Sequence, residues 1–223
     1  TRALVLVTPN NPTGAVIPPD VLTQFRDLCA ARGIALVLDE TYKDFLDPGE
    51  PRHGLFRDPA WGDTVVQLYS FSKAFSLTGY RVGSIVAGAG FIAQVAKLMD
   101  TMSICAARIG QDGALYALRH LLPWADGKRA MMAARREALL RVFESGNLGF
   151  ELVSTGAYFA YLRHPFAGKA AAAVAKRLAQ EHGLLALPGT VFGPGQEPYL
   201  RLAFANLEAD RMGEVGDRLR GAV

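Results

Sequence analysis

A chain of 223 residues, half of them hydrophobic and a fifth charged, has an ordinary globular balance and suits one large domain or two smaller ones. Its formal charge of +3, with no lysine/arginine run longer than "ARR", argues against nucleic acid as a partner and draws at most small anions. Cys29 and Cys105 match no metal-ligand spacing and are expected as small apolar side chains in a reducing compartment. No apolar stretch is long enough to span a bilayer, and the residues from Thr1 do not read as a charged-then-apolar leader. The expected location is the cytoplasm, with no membrane partner and no metal.

"ALVLV" (3–7) reads as a buried strand, ended by the turn formers of "TPNNPTG". A helix is expected from Pro18 and Pro19, with Val21, Leu22, Phe25, Leu28 and Cys29 on one face and Gly33 as its stop. "IALVLDE" (34–40) is a second buried strand, ending in carboxylates, and "TVVQLYS" (64–70) is a third. Strands alternating with a helix or long connection predict an α/β fold: a mainly parallel sheet with helices on both faces. The fourth run, "RVGSIVAG", starts only eight positions after Lys73, too soon for a parallel crossover of about a dozen residues. It is expected to run antiparallel, with Arg81 as its first residue.

From about 91 the pattern turns helical, with a long charged helix over roughly 125–146. "AYFAYL" (157–162) alternates as a strand, "AGKAAAAVAKRLAQEHG" (167–183) is a helix, and "LLAL" and "YLRLAFA" are short strands before a last amphipathic helix. Residues 1–135 are expected to belong to a large domain and 136–223 to a smaller α+β domain, with the long helix as hinge.

Ligands in open α/β sheets bind beyond the carboxyl ends of the parallel strands. Those ends carry Asn11, then Asp39 with Tyr42 just beyond, then Ser70, Ser72 and Lys73, and the antiparallel strand adds Arg81. Taken singly, each has a plain structural reading. Lys73 can be solvated, Asp39 can cap a helix, Asn11 can close an Asx-type turn and Tyr42 can fill a core. Their joint placement by topology points instead to a site. Lys73 and Arg81 repel each other unless an anion, or a change in one of them, makes the arrangement worthwhile.

"NNPTG", "DETY", "SFSKAFSLTGYRVG" and "YLRLAFAN" resemble, in order and spacing, the successive signatures of the class I/II aminotransferases, pyridoxal-phosphate enzymes of fold type I. The resemblance implies pyridoxal 5'-phosphate as cofactor and transfer of an amino group between an L-amino acid and a 2-oxo acid. It implies that Lys73 forms a Schiff base with the cofactor aldehyde and, once displaced, acts as general base. Arg81, with the hydroxyls of Ser70 and Ser72, is implied to hold the phosphate, so phosphate charge matches the arginine and the lysine is no longer a free ammonium. Asp39 is implied to pair with the pyridine nitrogen, and Asn11 and Tyr42 to donate to the phenolate oxygen. Arg201 in "YLRLAF" is implied to clamp the substrate carboxylate through two parallel bonds; without the resemblance it reads as an edge-strand arginine facing solvent.

Other readings fit less of the chain. "YSFSK" matches the Tyr-x-x-x-Lys of short-chain dehydrogenases, but that motif needs a helix, and Tyr69 ends a strand-like run with no glycine-rich fingerprint before it. A different reaction on the same cofactor (carbon–sulfur lyase, decarboxylase or synthase) would use the same residues. A non-catalytic sensor would be joined to a DNA-binding module, of which this sequence carries no sign. The family's members have a substantial N-terminal stretch and Thr1 opens on a strand already under way. The chain is therefore expected to be part of a longer enzyme, binding cofactor poorly alone. The resemblance also implies a homodimer, with "MDTMSICAARIG" (99–110) near the partner's site. His53, His120, His164 and His182 have no paired spacing and are read as structural or surface residues.

Overall fold

The computed structural model describes residues 1–223 as two compact units, Thr1–Pro9 with Val16–Lys128 and Asn10–Ala15 with Arg129–Val223. The boundary lies inside the long charged helix, seven residues ahead of the 135/136 division read from the sequence. The short turn 10–15 groups with the second unit, although the first flanks it in sequence.

In the first unit, β1 (Ala3–Val7), β2 (Ala35–Asp39), β3 (Val65–Ser70) and β4 (Gly83–Val86) form one sheet in sequence order. The first three are parallel; β4 is antiparallel to β3, with Gly83 opposite Ser70. The strand starts at Gly83 and not at Arg81, because Arg81 is left-handed (φ 54, ψ 47), which breaks the extended path. Helix α1 (Pro19–Arg32) begins on a proline whose fixed φ suits a first helical position, and left-handed Gly33 ends it. Its Leu22 and Cys29 pack against Leu36 and Leu38 of β2 and Val65 of β3, all nearly or wholly buried. Each buried leucine contributes about 1.5–3 kcal/mol.

Beyond β3 lie α2 (Phe71–Ala74), α3 (Ala89–Met102), α4 (Arg108–His120) and α5 (Leu122–Glu144). α4 comes backbone-close to the loop that carries Arg81. A Cβ on Gly110 would stand 2.8 Å from the Tyr80 carbonyl oxygen and meet Val82, so a larger residue there displaces loop or helix. No helix is long and apolar enough to cross a membrane.

The second unit is an antiparallel sheet in the order β5 (Glu151–Gly156), β6 (Phe159–Arg163), β8 (Tyr199–Ala203), β7 (Leu187–Pro188). Its core joins Leu162, Leu200 and Leu202 of the sheet to Leu139 of α5, Leu178 of α6 (Ala171–His182) and Leu219 of α7 (Gly213–Arg220). β5 was not read from the sequence. It is an edge strand with a bulge between Leu152 and Ser154, and most of it is incompletely buried, so its alternation is weak.

Candidate functional site

The first unit gathers six of the expected residues around the carboxyl ends of β2 and β3. Asp39, the last residue of β2, pairs in register with Leu68, two residues before Ser70 ends β3. The Glu40 N–H donates to the Leu68 carbonyl at 2.9 Å, which extends the pairing one step past the strand. Asp39 Oδ1 accepts the Thr41 N–H at 3.0 Å, a local turn bond, whereas the short helix that follows is entered at Tyr42 with no side-chain cap, so Asp39 caps no helix. A carboxylate offers about four lone-pair directions, so this bond leaves acceptor capacity. Tyr42 follows, buried, and leads into the short turn Lys43–Phe45.

β3 ends by capping what comes next. Ser70 Oγ accepts the Ser72 N–H at 3.2 Å as the N-cap of α2, while its own O–H remains a donor. α2 carries Ser72, buried, and Lys73, half-buried. The Lys73 ammonium enters none of the first unit's ion pairs. The Phe71 N–H donates to the Val82 carbonyl at 3.3 Å, tying the start of α2 to the residue after Arg81. Arg81 is exposed, with Nη1 donating to the Thr78 carbonyl at 2.9 Å.

Two polar pairs that the sequence reading missed lie beside this edge. The buried Glu40 carboxylate accepts from Gln67 Nε2 and lies 2.9 Å from His53 Nε2. Burial alone pushes the Glu40 pKa up, but the His53 and Gln67 hydrogen bonds outweigh it, and the carboxyl sits below its ordinary range. Tyr69 Oη donates to Asp44 Oδ2 at 2.5 Å, and burial followed by that carboxylate pushes the phenol pKa far up, so it stays protonated. Gln67 was the available signal: a polar side chain inside the apolar run "TVVQLYS" needs a buried partner.

Asn11 and Arg201 meet in the second unit. Arg201 Nη1 donates to Asn11 Oδ1 at 2.6 Å. Arg201 stands on β8 between Tyr161 of β6 and Leu187 of β7, so it is not an edge-strand residue. Its guanidinium lies 4.8 Å from the Phe159 ring centre and 5.0 Å from that of Phe192. The turn-closing role considered for Asn11 belongs to Asn10, whose Oδ1 accepts from the Thr13 N–H and Oγ1. The turn is anchored on β5: Ser154 Oγ donates to the Thr13 carbonyl at 2.7 Å, and Gly14 and Gly156 cross so closely that a Cβ on either would overlap the other's backbone.

Comparison with known proteins agrees with this architecture. The family described as aminotransferase class I and II matches residues 1–219. An aromatic aminotransferase from Arabidopsis thaliana is 31% identical over 228 residues, covering all of this chain and 55% of the relative. An arginine–pyruvate transaminase from Pseudomonas aeruginosa is 31% identical over 219 residues, covering 98% of this chain and 55% of the relative. Among solved structures, a Thermus thermophilus aspartate aminotransferase tetra mutant is 29% identical, with a TM-score of 0.83 over all of this chain and 60% of that one. The chain spans about half the length of the curated relatives it matches.

Proposed function

The chain belongs to the class I and II aminotransferase family, and from that premise we propose that it carries part of the active site of a pyridoxal-phosphate-dependent aminotransferase. The reaction is transfer of an amino group between an L-amino acid and a 2-oxo acid. The observation that carries this reading is the delivery of Asp39 and Lys73 to one sheet edge by adjacent parallel strands.

The donor set fits pyridoxal phosphate in kind: an amine for its aldehyde, a carboxylate for its ring nitrogen, a phenol for its phenolate, and hydroxyls with a guanidinium for its phosphate. When bound, that group supplies a carbonyl that condenses with amines and a ring that accepts the electron pair left when a proton departs from the substrate α-carbon. Lys73 Nζ is the tethering amine and, once released, moves the proton from the α-carbon. The Asp39 carboxylate holds a proton on the ring nitrogen, since a neighbouring anion favours the protonated form. Tyr42 Oη donates to the phenolate oxygen. Asn11 is assigned the same oxygen, and its NH2 is the donor left once Oδ1 is taken by Arg201. Arg81, Ser70 and Ser72 bind the phosphate. Arg201 binds the substrate carboxylate, and its two flanking rings limit the directions the guanidinium can take.

The test is to add pyridoxal phosphate to the full-length protein that contains this chain, follow the visible absorbance band, and reduce with borohydride. The reading expects one reduced adduct, on Lys73; an adduct elsewhere, or none, removes it. Added amino acids should convert the cofactor to its amine form, whereas sustained release of pyruvate and ammonia would turn the assignment to a lyase. The reading also takes the protein as a cytoplasmic homodimer that uses the 99–110 region, where Met102, Ile104 and Ile109 are exposed. Sedimentation as a monomer would remove the dimer.

A further inference from the structure

We infer that Glu40 and Tyr69 are positioning residues, which bracket Tyr42 and hold its phenol in register with the strand that leads to Lys73. The inference rests on the role proposed for Tyr42. Gln67 and Tyr69 are two apart on β3, so their side chains leave the same face of the sheet. Each meets one carboxylate of the segment that crosses that face: Gln67 donates to Glu40, and Tyr69 Oη donates to Asp44 at 2.5 Å. Tyr42 lies midway between these two ties.

Three further side chains contact the brackets. His53 Nε2 lies 2.9 Å from Glu40 Oε1, Lys43 Nζ sits 5.0 Å over the Tyr69 ring, and Arg52 Nη1 approaches Asp44 Oδ1 at 3.9 Å. The cavity beside Glu40, Lys43, Arg52, His53 and Gln67 is only ≈ 160 Å³. Ligand pockets generally enclose about 300–1,000 Å³, so the cluster is not itself a site for a substrate-sized molecule. A buried carboxylate costs several kcal/mol to desolvate, and an apolar replacement of similar shape often serves stability as well. What the charged version adds is direction: beyond the turn's own backbone bonds, a Glu40 fixed by Gln67 and His53 and an Asp44 held by Tyr69 and approached by Arg52 leave the Tyr42 backbone little freedom.

The test reads the pH midpoint of the visible band of pyridoxal phosphate bound to the full-length protein that contains this chain. Losing the Tyr42 donor leaves more negative charge on the phenolate oxygen, which holds its shared proton more tightly, so the midpoint moves upward. Tyr42→Phe sets the limit of that shift. Tyr69→Phe and Glu40→Ala should each move the midpoint in the same direction, by about half a unit to one unit. Glu40→Gln keeps an acceptor for Gln67 and should return it to within about 0.2 units of the starting value. Tyr69→Phe combined with Tyr42→Phe should shift it no further than Tyr42→Phe alone, because both act through one phenol.

Thermal melts of the cofactor-free variants show whether each is folded. Should Glu40→Ala not fold, Tyr69→Phe decides alone, since it removes one oxygen and keeps the ring against Phe71. Unchanged midpoints in folded variants overturn the positioning role and leave the functional reading standing. A full-length parent protein with no visible band overturns the reading itself, and this inference with it.

Discussion

The two units hold their chemical side chains in opposite ways. In the first, Asp39 ends a strand, while Tyr42, Lys73 and Arg81 lie in turns or on a single helical turn beyond one. Such segments have few ladder bonds and are held by local backbone bonds, to which the 40–44 segment adds side-chain ties, Glu40 with Gln67 and Tyr69 with Asp44. In the second, Arg201 sits inside a strand paired on both sides, with aromatic rings near its guanidinium and a fully buried Leu200 beside it in sequence. Its direction is a property of the sheet. Loop-borne chemistry should therefore respond to the loss of single hydrogen bonds, and strand-borne chemistry to the loss of packing.

The sharpest way to break this contrast is to remove the reactive amine. On the proposed function, Lys73→Ala in the full-length protein should lower transaminase turnover by about 10³-fold, within the range for a lost positioned base, and abolish the borohydride-fixed adduct. Because Lys73 is half-buried and outside the ion pairs of its unit, the melting temperature should hardly change. A variant that keeps the adduct would move the chemistry elsewhere.

Next in size is packing in the second unit. Leu200→Ala removes a fully buried side chain and should cost about 3 kcal/mol, read from the urea midpoint at constant slope. An effect below about 1 kcal/mol would mean that the sheet is not what fixes Arg201. Arg201→Lys keeps the charge but loses the planar fork, and should raise KM for the amino acid about tenfold with a smaller change in kcat. A loss confined to kcat would place the residue in the chemical step instead.

The smallest effect sharpens the first-unit half of the contrast. Glu40 has a lowered pKa in the folded state, so it binds protons less readily folded than unfolded. Its contribution to stability is therefore complete above the ordinary carboxylate pKa and is lost as pH falls through the lower folded value. Urea midpoints measured between about pH 5 and pH 3 should fall more steeply for the parent than for Glu40→Gln. Parallel curves would show that Glu40 is not tied in the way described.

Much of this was legible in the residues. The three parallel strands follow from apolar runs separated by a helix or a long connection, and the antiparallel fourth from the shortness of its link to Lys73. Side-chain ties across the sheet were less visible, because hydrogen bonds between residues 25 or 27 positions apart leave no periodic trace. Arg81 was misplaced by two residues, since a non-glycine residue at positive φ has no strong sequence signature. The Asn11–Arg201 bond spans 190 positions, and only folding brings such groups to 2.6 Å.

Local patterning by itself determined the four strands of the first unit and the main helices, though not β5, and that carboxylate, amine and hydroxyl groups stand at strand ends. Those outcomes depend on short-range periodicity and on the length of connections. Tertiary structure alone decided that the turn 10–15 packs with the second unit, that Asn11 meets Arg201, and that Arg201 lies on an inner strand. These depend on which surfaces meet after collapse, and packing between distant segments is a property of the whole chain.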